Sequence, residues 1–583
     1  MNKQKTPATV LLVLLAGIAI SCTKPIEENV AVFEDFNYEG HDSFYQASPL
    51  PNESSFYNPI IAGWCSDPSI CSNGKGDYYL VSSTFSYFPG VPIYHSSDLM
   101  NWKQISNVLN RESQLNNLVG AGLTIGGIYA PDIQYNPHND TYYMITTNLK
   151  GRYGEGNKGN FLVKTKNPVG EWSEIIEFPE MEGIDPSLFF DEDGKAYIVN
   201  SGYPPVAEYP GHMAVHLCEY DVEKDVIVPG SDRIILDKGS RPELKPESIE
   251  GPHLYKFNGK YYLMCAEGGT GSNHSEVIMR SDNIYGPYIP WEKNPILTQR
   301  TLDKRSNPVT STGHADLVMD ANGKWWGVFL GCRPIDGEFQ NLGRETFLMP
   351  LRWSDDGYPY FIEDGEEIPL IGQMEGVKRG DEVTFGNFTI KDEFDTPELK
   401  PDWMTVRGTA KEYYTLENGT LKLLCAPVKT TGLENPAIIV RRLHHHAFTA
   451  TTHMRFNPAN AEAMAGMILL GDETHQYLMG VTRGDDGNPR IFLQKTDDGV
   501  IDELASVSLP IGSEDFQLKI ESSGKGFAFF YGLKGKDWQL LADHVSAKYL
   551  TEMFASFSGT TMGVFATSKQ EPGESVLHML LGK

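Results

Sequence analysis

Positive charge is what this 583-residue chain has least of: 49 Lys and Arg stand against 77 Asp and Glu, a formal net charge of −28 at pH 7. So acidic a chain offers no basic face to phosphate, which excludes nucleic acid as a partner, and anionic lipid repels it. A neutral ligand such as a sugar meets no such barrier. Long apolar runs are missing too. The one candidate, Val10 to Ile20 behind Lys3 and Lys5, is too short to span a bilayer and reads as a signal peptide. Cysteine is sparse. Beyond Cys22 there are Cys65, Cys71, Cys218, Cys265, Cys332 and Cys425, at spacings that suggest no disulfide framework. Several sit inside apolar runs, so buried free thiols are expected.

What the chain does have is a repeat. Adjacent residues, mostly aromatic, recur as Tyr78-Tyr79, Tyr142-Tyr143, Ala196-Tyr197, Tyr261-Tyr262 and Trp325-Trp326, at intervals of 64, 54, 65 and 64 residues. A turn-like stretch precedes each pair, and about ten residues upstream lies an acidic motif. These motifs are Ser66-Asp67-Pro68, Ala130-Pro131-Asp132, Ile184-Asp185-Pro186, Ile249-Glu250-Gly251-Pro252 and His314-Ala315-Asp316. Five copies of strand, hairpin and aromatic strand predict an all-β fold, a five-bladed β-propeller. Radial blades would gather the acidic motifs at one mouth of the central channel.

The repeat stops after the fifth copy. From Phe385 onward, short runs such as Thr420 to Leu424, Ala437 to Val440 and Phe527 to Tyr531 predict a concanavalin A-like β-sandwich. The expected organisation is a signal peptide over 1–22, a tether over 23–55, the propeller over 56–370 and the sandwich over 384–583.

Alone, Asp-Pro is usually a turn. Here Asp67, Asp185 and Glu250 are each followed by Pro, directly or after one Gly, and each opens an apolar strand. Glycosidic cleavage needs one protonated and one ionised carboxyl on opposite sides of the bond, and a third nearby can hold the acid's proton by like-charge repulsion. Other signals are weaker. Gly154 to Gly159 matches the dinucleotide fingerprint by letters only, since Phe161-Leu162-Val163 follows as a strand, and it reads as a loop. Asp191 to Gly194 reads as a hairpin turn rather than a calcium loop, and His444-His445-His446 as a strand end rather than a metal site.

The run Asn58-Pro59-Ile60, Gly63 to Ile70 resembles the start of family 43 glycoside hydrolases, and so does Ser83 to Ile93 with Ser97 to Trp102 after it. Similar segments continue through Gly127 to Asp132, Gly183 to Phe189, Glu250 to Tyr255, Ala266 to Thr270, Gly313-His314 and Leu342 to Thr346, covering residues 56 to 360. The resemblance implies an inverting mechanism with Asp67 as general base, Glu250 as general acid, and Asp185 orienting Glu250 and tuning its pKa. It implies that Arg344 contacts substrate, that Phe85 walls the sugar subsite, and that Tyr129 and Asp132 touch the rim. His314 resembles the channel histidine found near a metal ion or water; no cofactor is required, and calcium in the channel is the ion this would admit. The C-terminal part resembles the sandwich of xylosidase-type members, one loop of which can reach the pocket.

The expected activity is exo-hydrolysis releasing xylose or arabinofuranose from hemicellulose oligosaccharides, with β-xylosidase favoured. An arabinan-cleaving hydrolase and a non-catalytic carbohydrate-binding propeller are the alternatives. Ala19-Ile20-Ser21-Cys22 resembles a bacterial lipobox, which implies a cell-envelope lipoprotein, at the outer membrane or in the periplasm of a Gram-negative bacterium. Membrane contact would then run only through an acyl anchor on Cys22.

Overall fold

The structure, a computed structural model, describes residues 27–150, 159–302, 306–337, 339–550 and 557–569. Cys22 and its signal segment, and most of the 154–159 loop, lie outside the described residues. Among the described residues the one α-helix is the five-residue Ser43–Ala47.

Five antiparallel sheets make the propeller. Their innermost strands are Ser69–Ser72, Gly127–Asn136, Ile184–Phe190, Glu250–Phe257 and Thr310–Met319. Each pairs with a second strand carrying the aromatic doublet: Tyr78–Val81, Thr141–Leu149, Ala196–Gly202, Lys260–Glu267 and Trp325–Cys332. The doublet has a packing reason. Neighbouring residues on a strand point to opposite faces, so each doublet fills two different inter-blade cores. Tyr142 packs with Val81 and Ile93 of blade 1, whereas Tyr143 packs with Leu188 and Ile198 of blade 3. Tyr78 and Trp326 meet in the core between blades 5 and 1.

Chain order closes the ring. Backbone just before blade 1 lies along the outer strand of blade 5, Arg344–Pro350. Ile60 donates to the Thr346 carbonyl at 2.9 Å, and Cys65 to that of Arg344 at 2.8 Å. This contact sets Asp67 beside Arg344, 277 residues apart in sequence.

Two sheets form the sandwich, and here the expected tether fails. Val30–Phe33 pairs with Leu421–Leu424 and Ala447–Arg455, and Phe36–Gly40 with Thr389–Asp392 and Ala447–Arg455. Ala31, Phe33, Phe36 and Tyr38 are buried in the sandwich core. The acidic composition of the stretch masked two short strands with an alternating apolar face. Tyr87–Phe88, from the propeller, pairs with Met404–Val406 and extends the other sheet. Trp64, Phe85 and Tyr87 share one core with Met404, Val440 and Phe565. The domains are therefore interlocked.

The six cysteines are free and buried, as expected. Asp191 to Gly194 is a hairpin turn, the Gly194 amide donating to Asp191 at 3.0 Å. The three histidines follow Ile438–Arg442 and line the contact between domains, each against a backbone carbonyl: His444 on Ala62, His445 on Gly386 and His446 on Arg333.

Candidate active site

Every innermost strand has one backbone device at or near its start. Asp67, Ala130, Asp185, Gly251 and His314 all take left-handed φ, at +53°, +32°, +53°, +54° and +52°. Four of them are not glycine, and each such residue stores roughly 1–3 kcal/mol that the surrounding packing must overcome. In blades 2 to 5 the ladder between the first and second strands slips at or beside this turn, a β-bulge of the kind that re-aims side chains. The result is two stacked rings of residues. The left-handed positions, with Glu250 beside Gly251, face the pocket. Two residues further on, Ser69, Asp132, Ser187, His253 and Asp316 face the channel.

The equivalence corrects two expectations. Asp132 is not at the rim; it belongs to the channel ring, 2% exposed, and Ala130 holds the pocket position of blade 2. In blade 5 that position belongs to His314, and Asp316 falls in the lower ring. Proline was the reliable register mark: Pro68, Pro131, Pro186 and Pro252 each follow the left-handed residue, and Ala315 takes the place in blade 5.

Asp67 is buried and strongly held. Its Oδ2 accepts from Ser83 Oγ at 2.6 Å, and Ser83 Oγ in turn accepts from the Ala130 amide at 2.7 Å. Its Oδ1 faces Arg344 Nη1 at 3.4 Å and His314 Nδ1 at 3.6 Å. Arg344 is fixed by a second bond, from Nη2 to the Thr270 carbonyl at 3.3 Å. Asp185 Oδ2 accepts from the Gly251 amide at 3.1 Å, so it grips the residue after Glu250. Burial, and then the charges of Glu250 and Asp67, push the Asp185 carboxyl well above the ordinary carboxylate range. Crowded carboxyls of this kind keep a proton among them near neutral pH.

The apolar wall comes from both domains. Phe85 meets Tyr129 edge-on at 5.5 Å and stacks on Phe557 at 6.1 Å, while Tyr129 meets Phe557 edge-on at 6.0 Å. The Arg344 guanidinium lies 4.8 Å over the Phe557 ring. Ser66 Oγ donates to the Phe557 carbonyl at 2.5 Å, and the amide of Thr560 donates to the Asn341 carbonyl at 2.8 Å. The sandwich thus inserts one aromatic ring beside the carboxylates. Sequence carried no signal for Phe557, one aromatic 490 residues past Asp67; Ser83 and Thr270 lay inside the matched runs without a chemical reason to single them out.

His314 does not belong to the cluster best placed for a cation. Among the described residues that cluster is Asp132, His253 and Asp316, with His253 Nδ1 at 3.7 Å from Oδ1 of each acid. Calcium needs six to eight oxygens at about 2.3–2.6 Å. Here the acids are already engaged. Ser69 Oγ lies 3.0 Å from Asp132 and 2.8 Å from Asp316, with one proton to share between them. The Leu188 amide and Gln134 donate to Asp132, and the Ile70 amide and Tyr255 hydroxyl to Asp316. Burial pushes Asp132 up to about 6. The cavity between the rings is about 10 Å³, room for about one water. These residues fit a hydrogen-bonded plug and do not fit calcium.

Burial lowers His314 to about 4 and, beside it, His274 to about 3, so both are neutral imidazoles at neutral pH. Unfolded histidine titrates near 6.5. The stability that neutral His274 contributes is complete above that value and is lost as pH falls toward 3. At pH 5 the loss is about 2 kcal/mol. Melting curves from pH 7 to pH 5 should therefore fall more steeply for the wild type than for His274→Gln. Parallel slopes would show that His274 is not neutral in the fold.

Comparison with known proteins now supplies the class. Residues 56–359 match the model for glycosyl hydrolases family 43, and residues 391–577 match the beta xylosidase C-terminal concanavalin A-like domain. A xylosidase/arabinosidase of Butyrivibrio fibrisolvens is 36% identical over 535 residues, 89% of this chain and 97% of its own length. The non-reducing end alpha-L-arabinofuranosidase of Bacteroides ovatus is 34% identical over 528 residues, 88% of this chain and 92% of its own length. The crystal structure of a GH43_12 protein retrieved from a capybara gut metagenome superposes with a TM-score of 0.84 at 40% identity, covering 92% of this chain and 99% of that one. The chain belongs to glycoside hydrolase family 43, as the sequence motifs implied, and it is a glycoside hydrolase.

Proposed function

We propose that the protein is an inverting exo-hydrolase that removes a terminal xylose or arabinofuranose from hemicellulose oligosaccharides. The observation that carries this reading is the grouping of Asp67, Asp185 and Glu250 at one mouth, with Asp185 in the charge field of the other two. The Phe85–Tyr129–Phe557 ring contacts, with Arg344 over Phe557 and against Asp67, put an apolar wall beside the carboxylates and support exo action on a terminal sugar. Related proteins named for xyloside and arabinoside cleavage support both glycones.

In this mechanism Asp67 takes a proton from water as the water oxygen attacks the anomeric carbon. Glu250 gives its proton to the glycosidic oxygen as the C–O bond breaks. Asp67 ends protonated, Glu250 ends ionised, and the anomeric centre is inverted. Two proton exchanges with solvent restore the site. Asp185 holds the Gly251 amide, and the crowding of its carboxyl with Glu250 and Asp67 keeps a proton in the group for Glu250 to deliver. Arg344, tied to Asp67 and Thr270, sets the base against the sugar. No metal enters any step.

Proton NMR of the first turnovers tests the reading, with EDTA present. The expected first product is the anomer opposite to that of the substrate, formed at an unchanged rate. Retention at the anomeric carbon, or a rate lost to EDTA and restored by calcium, would contradict it. Nitrophenyl xyloside and arabinofuranoside, compared by kcat/KM, rank the glycones. The lipobox resemblance supports a cell-envelope lipoprotein; labelled palmitate should enter the expressed chain and fail to enter Cys22→Ala, and equal labelling of both would remove this assignment.

A further inference from the structure

Glu276 lies on Ser275–Ser281, the third strand of blade 4, and is 0% exposed. Nothing in the hydrolytic mechanism calls for a fourth carboxyl at this depth. Its neighbour explains it. The ladder of blade 5 slips between Gly313 and Asp316, so His314 and Ala315 have no partner residue on the adjacent strand. Buried amides are almost never left unpaired. Glu276 Oε2 accepts from the Ala315 amide at 3.0 Å, and the His314 amide faces the same carboxyl. Oε1 has no hydrogen-bond partner among the described residues.

His314 is the strained member of this contact, a non-glycine residue at φ +52° whose ring must stay 3.6 Å from Asp67. The ring is also confined from blade 4, since a Cβ on Gly251 would sit 2.9 Å from it. Confinement on one side does not hold a left-handed backbone. An acceptor for the stranded amides does.

We propose that Glu276 is a positioning residue of the hydrolytic site: its carboxyl takes up the amides freed by the blade 5 bulge, locks the His314 turn, and so fixes the His314 ring against Asp67. The proposal rests on Asp67 being the general base. The carboxyl acts here as a neutral acceptor. Burial pushes it well above the ordinary range, with the charges of Asp316 and Glu250 adding to the shift. An ionised carboxylate at this place would add a second negative charge beside the general acid.

The test is a set of variants of the full chain, assayed for kcat and KM on an activated nitrophenyl glycoside across pH. Glu276→Leu should lower kcat about 10–100-fold with KM within about threefold, the loss of a positioned general base. Glu276→Gln keeps the acceptor without a charge, and should hold kcat within about threefold with both limbs of the pH profile in place. Because Glu276 works through His314, Glu276→Leu combined with His314→Ala should be no slower than the worse single variant. Multiplying losses in the double variant, a wild-type kcat in Glu276→Leu, or a displaced acidic limb in Glu276→Gln would each overturn the proposal. If Glu276→Leu does not fold, the Gln variant decides by the same profile. Asp67→Asn separates the two layers: an inactive Asp67→Asn beside a fully active Glu276→Leu rejects only the positioning role, whereas an active Asp67→Asn rejects the assignment of the base itself.

Discussion

Asp67→Asn is expected to lose hydrolysis of every substrate alike, whereas Glu250→Gln loses most on sugars with poor leaving groups. The asymmetry follows from what each group does. Water needs its proton removed whatever leaves, so loss of the base costs about 10²–10⁴ in kcat throughout. Nitrophenolate departs with little protonation, so loss of the acid costs far less with nitrophenyl glycosides than with xylobiose. Asp185→Asn should fall between them and shift the pH limb that reports Glu250, because its neighbours' charges contribute to its own raised pKa. The measurement is kcat against leaving-group pKa for the three variants. A uniform loss across leaving groups in Glu250→Gln would remove it as the acid.

A chain ended at residue 370, leaving the propeller alone, is expected to give no soluble active enzyme. Sequence patterns suggest two separable domains, yet the cut would uncover Trp64, Phe85 and Tyr87, which share a core with sandwich residues. It would also strand Val30–Phe33 and Phe36–Gly40, whose strand partners are all sandwich residues. Burying a large apolar side chain contributes about 1.5–3 kcal/mol. Three such rings alone come to about 4.5–9 kcal/mol, comparable with the whole 5–15 kcal/mol stability of a usual domain. Expression, soluble yield and activity of the truncated chain are the measurements. A soluble propeller with wild-type kcat would show that neither the shared core nor Phe557 matters.

How far the sequence could be read depended on the kind of signal. Blade count was legible because the aromatic doublet solves one packing problem five times, and repetition is visible without coordinates. The grouping of Asp67, Asp185 and Glu250 was legible because their turns and prolines repeat with it. The channel ring was misjudged because acidity was aligned in place of backbone conformation: Asp132 and Asp316 look like counterparts of Asp67, but left-handed φ falls two residues earlier in their blades. Phe557 and the N-terminal strands were illegible for another reason. Each works through contacts hundreds of residues away, and a four-residue strand such as Val30–Phe33 has too few positions for its period to stand out from an acidic background.

The five left-handed turns behave like interchangeable sockets. One backbone shape presents Asp, Ala, Asp, Gly and His to the same small volume, and the shape is maintained from outside the socket by bulges, by prolines and by neighbours such as Ser83. Reactive groups can therefore be installed or withdrawn one blade at a time, without moving a strand. Ala130 and Gly251 hold no reactive group, and blade 4 supplies Glu250 from the residue before its socket. The identity of the reaction at this mouth is written in a handful of independent single-residue choices, while the geometry in which they act belongs to the ring.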